Sequence, residues 1–205
     1  MKEYFAKKAS YKLKIDDDRW ESVPAAELSE GWWELFGQKY KTLARLVHCD
    51  DGLILRMETD EWPIRINAMK LNDEVCLDSC MEFFFTPNTV DKDFINIEAN
   101  AASVPLCYIG EQRHGRKPLD PCDEGVEFKT MIDFEQGWKL YVFIPFCFLE
   151  KHFSKVDPEM RANFYKCGEE TVIEHYCVWN KVETPSPDYH RPEYFGKIVL
   201  SEENL

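Results

Sequence analysis

A chain of 205 residues, 44% of them hydrophobic, can enclose a substantial core as one large domain or two small ones. Its formal net charge of −13 excludes the basic footprint that nucleic acid or an anionic membrane surface requires, so neither is expected as a partner. Residues 1–20 lack the apolar run of a secretion signal and no segment reaches transmembrane length. The eight cysteines include no CxxC pair, so a cytoplasmic protein with reduced thiols is expected.

Period-2 alternation bounded by turn formers dominates the chain. The first candidate strand is YKLKI (11–15), and PAAEL (24–28) reads as a helical piece. TLARLVHC (42–49) and LILRMET (53–59) are two strands across a tight CDDG turn. SCMEFFFT (79–86), FINIEAN (94–100) and LCYI (106–109) follow, then VEFKTMID (126–133) and GWKLYVFI (137–144) around a second turn, FEQG. PFCFLEKHF (145–153) has helical character and opens on a proline, which suits a first helical turn. MRANFYKC (160–167), EHYCVW (174–179) and GKIVL (196–200) complete the set. Turn signals are evenly spread and there is no internal repeat. The expectation is a single domain over residues 1–205, all-β: an antiparallel two-sheet β-sandwich, jelly-roll-like, with one or two short helices.

Alternation also sorts the side chains by face. Met81, Phe83 and Phe85 oppose Cys80, Glu82 and Phe84; Ile95, Ile97 and Ala99 oppose Asn96, Glu98 and Asn100; Ala162 and Phe164 oppose Arg161, Asn163 and Tyr165. Three strands thus each offer an apolar face and a face of Glu, Asn, Arg and Tyr. Fixed amide and carboxyl groups beside aromatic rings form a platform suited to sugars, whose hydroxyls need paired donors and acceptors. Trp179, at a strand end, is placed to stack on a ligand. Trp20 and Trp138 read as core, and Trp62, Trp32 and Trp33 as rim residues. The stretch PSPDYHRPEYFG (185–196) is stiffened by Pro185, Pro187 and Pro192 and would present Tyr189, His190 and Arg191 toward the platform. The basic segment GEQRHGRKPL (110–119) could fold Arg113 or Arg116 back to its rim. The candidate ligand-binding residues are therefore Glu82, Asn96, Glu98, Asn100, Arg113, Asn163, Trp179 and His190.

DSCMEFFFTP (78–87), FINIEAN (94–100), RANFYKCG (161–168) and PDYHRPEYFGKIVL (187–200), after an opening IDDDRWESVPAAEL (15–28), together resemble the family-9-like carbohydrate-binding domains. The resemblance covers nearly the whole chain. It implies a two-sheet antiparallel sandwich, no catalysis, glucose or xylose units held between tryptophans, and in some members structural calcium. NDEVCLDSC (72–80) carries no aromatic where sugar-binding members place one clamp tryptophan, which leaves Trp179 or a ring of the 185–196 loop as the stacking residue.

Three other readings compete. Glu82 and Glu98 share a facing parity and could lie about 5 Å apart on adjacent strands, near the spacing of a retaining glycosidase pair. Met57, Met69, Met81 and His190 are the residues that could ligate a b-type haem. Calcium could use IDDD (15–18) or HCDDG (48–52). Zinc is not expected, because the five histidines show no HxH or HxxxH spacing and no Cys pair completes a set. No P-loop, G-x-S-x-G or GxGxxG motif occurs. The expectation is a non-catalytic domain with no cofactor, binding a small carbohydrate.

Overall fold

The computed structural model describes residues 1–37 and 40–205; the side chain of Trp33, one of the expected rim residues, lies outside the described set. The strands are β1 (Glu3–Lys8), β2 (Ala26–Glu27), β3 (Glu30–Gly31), β4 (Thr42–Cys49), β5 (Gly52–Thr59), β6 (Cys80–Thr86) and β7 (Phe94–Asn100). They continue with β8 (Pro105–Gly110), β9 (Lys117–Pro118), β10 (Glu127–Asp133), β11 (Gly137–Pro145), β12 (Glu159–Gly168), β13 (His175–Val178) and β14 (Gly196–Asn204). Two short helices, α1 (Trp33–Phe36) and α2 (Phe146–His152), are the only α-helices among the described residues. None is long and apolar enough to cross a membrane.

The strands form one strongly curled mixed sheet in the order β10-β11-β5-β4-β1-β14-β12-β6-β7-β8-β9. The expected pair of separate antiparallel sheets is corrected here. Two antiparallel wings exist, β10-β11-β5-β4 and β12-β6-β7-β8, but β1 and β14 stitch them together. β1 runs parallel to both β14 and β4, which makes the sheet mixed. The wings curl over one core. Leu46, Leu55, Met57 and Val142 come from one side, and Met81, Phe83, Ile97 and Phe164 from the other. Phe83 stacks on Phe85 at 4.5 Å and on Phe164 at 5.0 Å, so the rings form a continuous column across β6 and β12.

The alternation also fixes the hairpins. Cys49 pairs with Gly52, leaving Asp50 and Asp51 as a two-residue loop. Gly137 closes the β10–β11 hairpin at φ +98°, a conformation that L side chains avoid, and a Cβ there would lie 2.0 Å from the Thr59 carbonyl oxygen. Two local readings fail. YKLKI is not a strand: only Leu13 and partly buried Ile15 reach a satellite core, around Trp20, while the first strand is Glu3–Lys8. PAAEL is not helical, because Ala26 pairs with Ala44 and tertiary pairing outweighs the local preference of alanine for helix.

Candidate functional site

The face expected to form an open platform is covered. The outward residues of β6, β7 and β12 are covered by a second aromatic cluster: Trp32 from before α1, Tyr176 on β13, and Tyr189 and Phe195 from the 179–195 segment lie over Phe84, Phe94 and Tyr165. The ring-rich 185–196 stretch supplies the lid of this layer. Tyr189 stacks on Tyr165 at 4.1 Å and 12°, its hydroxyl donates to the Lys166 carbonyl at 3.0 Å, and the Tyr165 hydroxyl donates to the Tyr189 carbonyl at 3.1 Å. The His190 ring lies 5.0 Å from Phe84. Its prolines remove conformational freedom before any ligand arrives.

Between this lid and the strands lies a cavity of about 350 Å³. Its floor is Glu82 on β6 and Glu98 on β7, which are direct register partners. Arg113 and Arg116 enter from the 111–116 loop, and Tyr189 and His190 from the lid; Tyr108 and Tyr176 also line it. Tyr108 stands opposite Asn96 in the β7–β8 register, so it shares the outward parity.

The electrostatics are unusual. Glu82 and Glu98 are 2% and 5% exposed, and neither is ion-paired with a basic residue among the described residues. Burial pushes both carboxyls up, Glu98 to about 7, and the Glu98 charge pushes Glu82 further. The Cys167 thiol donates to Glu82 at 2.8 Å and Asn96 Nδ2 donates to Glu98 at 2.8 Å. A carboxyl pair so raised holds its protons more tightly than free carboxyls do, and when it holds one it offers both a donor and acceptors. Asn96 Oδ1 in turn accepts from Arg116 at 2.5 Å. His190 is held neutral: burial, then Arg116 and Arg113, bring its pKa down to about 3. A neutral imidazole has one donor and one acceptor nitrogen, and both ring nitrogens are buried without a partner. Orphaned buried polar atoms lining a cavity mark where a ligand would complete the hydrogen bonding.

The structure brings Glu82, Glu98, Arg113 and His190 to this cavity and sets Asn96 beside it. It separates the other three candidates from it. Asn100 is a structural amide: its Nδ2 donates to Asp78 at 2.9 Å and to the Ala68 carbonyl, and its Oδ1 accepts from Ala102 and Val104. Asn163 ties β12 to the next segment, donating to the Asn180 carbonyl at 2.8 Å and accepting from the Asn180 amide at 2.9 Å. Trp179 is a core residue, 4% exposed and 5.5 Å from Phe164. The reason is parity: Val178 pairs with outward Tyr165, so Trp179 follows inward Phe164. The stacking role expected of it has no geometric basis. Trp62 is 45% exposed beside Phe134, away from the cavity lining. Arg116, Tyr108 and Tyr176 complete the cavity; strand parity could have found Tyr108 and Tyr176.

The haem residues do not converge, since Met57 and Met81 are core and Met69 is 69% exposed. In the acidic runs, Asp17 pairs with Arg19 and Asp50 with Lys8. One set of potential metal donors does assemble: Cys80, Glu82 and Cys167, all buried, with ligand atoms within 4.8 Å of one another.

Comparison with known proteins places this geometry in a family. A structure of a protein described as carbohydrate-binding, from Bacteroides uniformis ATCC 8492, superposes with a TM-score of 0.85 at 24% identity, over 97% of this chain and 98% of that one. A family 9 carbohydrate-binding module from Caldicellulosiruptor kristjanssonii in complex with glucose gives 0.69 at 13% identity, over 99% and 97% of the two chains. The same organism's module in complex with cellotriose gives 0.68 at 14%, over 100% and 95%. At such identities these likenesses show the fold. The chain has no significant sequence match among curated proteins. The model of carbohydrate-binding family 9, however, matches residues 15–200. The chain therefore belongs to carbohydrate-binding family 9, a family of non-catalytic carbohydrate-binding modules.

Proposed function

We propose that the cavity over Glu82 and Glu98 binds a mono- or short oligosaccharide, with the carboxyl pair, Arg113 and His190 as its hydrogen-bonding groups. The observation that carries this reading is the His190 ring, with two buried nitrogens and no hydrogen-bond partner, facing the same cavity as a buried carboxyl pair that makes no direct ion pair among the described residues. A sugar hydroxyl donates and accepts at once, which matches a neutral imidazole and a carboxyl pair whose proton affinity is raised by burial. The volume suits a small ligand. Tyr108 and Tyr176, rather than Trp179, are the rings placed to meet the apolar face of a sugar. Family membership and the glucose and cellotriose found in related modules support the ligand class. The Glu pair is read as a hydroxyl-binding group and not as a glycosidase pair.

Calorimetric titration with glucose, cellobiose and cellotriose tests the proposal. Saturable heat with at least one of them is expected, weakened about tenfold by Arg113→Ala, the loss of one charge-assisted hydrogen bond. Arg113 is 56% exposed at its side chain and its sole ion pair among the described residues, to Asp188, is 3.7 Å long, so the fold should be unaffected. No heat across the panel at millimolar sugar, or binding indifferent to both Arg113→Ala and Glu98→Gln, would refute it.

A further inference from the structure

We propose that Cys80, Cys167 and Glu82 form a binding site for a thiophilic divalent cation of the zinc class beneath the cavity. The inference goes beyond sugar binding and does not depend on it. The geometry is set by the sheet. Cys80 and Cys167 are opposite one another in the β6–β12 register, and Glu82 lies two residues along β6 on the same outward face. Two sulfurs and one carboxylate oxygen fall within 4.8 Å of one another, and the Cys167 sulfur is 2.8 Å from Glu82 Oε1. In a tetrahedral zinc site with Zn–S of about 2.3 Å and Zn–O of about 2.0 Å, neighbouring donors stand roughly 3.5–4 Å apart. Small side-chain adjustments on rigid strands therefore suffice.

Charge points the same way. Glu82 is 2% exposed beside a second buried carboxyl, and no basic residue is ion-paired with either among the described residues. A buried carboxylate without a cation is costly and normally acquires a partner or a metal. On binding a dication, each thiol, and Glu82 where it is protonated, gives up its proton to solvent, so that two thiolates and one carboxylate face the two positive charges. Two sulfurs and one carboxylate select zinc or cadmium over calcium or magnesium. Glu82 also lines the cavity, whose wall includes Cys76. No sequence spacing announces the site, because its two cysteines come from separate strands.

The test uses the full chain, reduced and stripped with EDTA. Cobalt(II) alone is added as a probe and then displaced with zinc. One equivalent should produce thiolate-to-cobalt charge-transfer absorption, erased by zinc. The band should be lost in Cys80→Ser and in Cys167→Ser, and should persist with weaker affinity in Glu82→Gln. If a serine variant lacks the wild-type circular-dichroism spectrum, Cys80→Ala and Cys167→Ala replace it: loss of the band in the folded alanine variants supports the site, and its survival overturns it. Absence of the band in the wild type, or its survival in both folded serine variants, also overturns it. Sugar titration of the EDTA-treated chain is scored separately, so either proposal can fail alone.

Discussion

Lys166→Met removes the cation from the most deeply buried ion pair among the described residues. Lys166 Nζ lies 2.9 Å from Glu61 Oε2, and both side chains are wholly inaccessible to solvent. At an effective dielectric constant of about 20, two charges at that distance attract by about 6 kcal/mol, against a desolvation penalty of several kcal/mol per ion. The surroundings decide the balance. Glu61 also accepts from Trp138 Nε1 at 2.9 Å and Ser79 Oγ at 2.8 Å, while Lys166 donates to the Cys167 carbonyl at 2.8 Å and lies 2.6 Å from His175 Nε2. Burial pulls the Glu61 pKa up, but lowering contributions led by the Lys166 charge outweigh it and keep the carboxyl below its ordinary value. The network joins β11 to β12 through Glu61, which follows β5. Methionine fills the space but strands the Glu61 charge, so we expect a loss of about 3–5 kcal/mol in urea unfolding at pH 8. His175 refines the expectation. It is neutral in the wild type because burial and the Lys166 charge hold its pKa down to about 4. Without Lys166 it can take up a proton and stand in as the cation, 3.7 Å from Glu61. The loss should therefore shrink between pH 8 and pH 5. Lys166→Met with Glu61→Gln should be more stable than Lys166→Met alone. A single variant within about 1 kcal/mol of wild type at pH 8, or a double variant no better than the single, would refute the reasoning.

Three shorter predictions concern the lid and the core. A Cβ at Gly196 would sit 2.5 Å from the Trp179 ring and 3.0 Å from the Lys2 carbonyl, so Gly196→Ala should cost about 1–3 kcal/mol, read as a lower thermal midpoint. Trp179→Phe should lower stability but leave sugar affinity within about twofold, because the ring does not line the cavity; a large affinity loss in a folded variant would restore its stacking role. His190 has a folded pKa of about 3 against 6.5 unfolded, so the unfolded chain takes up the proton first as pH falls, and stability is full above pH 6.5 and declines below it. The stability difference between wild type and His190→Gln should therefore move toward the variant by about 1.4 kcal/mol per pH unit below 6.5; a pH-independent difference would show that the ring is not held neutral.

The strands were legible because the sheet is buried on its inner face, and alternation there is a direct record of burial. TLARLVHC and FINIEAN coincide with β4 and β7. β1 was not legible, since EYFAKK commits only Tyr4 and Ala6 to the core and its place is fixed by pairing with the far end of the chain. That same pairing makes the sheet mixed, and no local pattern encodes it. Within the site, parity put Glu82 and Glu98 on one face, where they are register partners. Parity alone could not tell a ligand-facing amide from a structural one. Asn100 and Asn163 differ from Asn96 only in which loop crosses above them. Trp179 departs from the expected stacking role because its alternation with Cys177, which is core, sets its direction, not its place at the end of the strand.

The covering of the outer face explains why the site has its chemistry. An open sheet would leave Glu82 and Glu98 solvated, with ordinary carboxylate behaviour and water on every lone pair. The lid removes that water, and Tyr189 locks it down through two hydrogen bonds that do not involve the cavity. The groups that remain inside are then individually unfavourable: two carboxyls side by side, an imidazole with no partner, and thiols beside an acid. Each would be more stable paired, and the rest of the fold, including the Glu61 network and the aromatic column, must offset the deficit. A ligand that supplies both donors and acceptors above the carboxyl pair, or a cation below it, relieves that deficit only in the folded chain. Either should raise the thermal midpoint as its concentration rises past its dissociation constant, and the two increments should combine additively only if the sugar and the cation do not compete for Glu82.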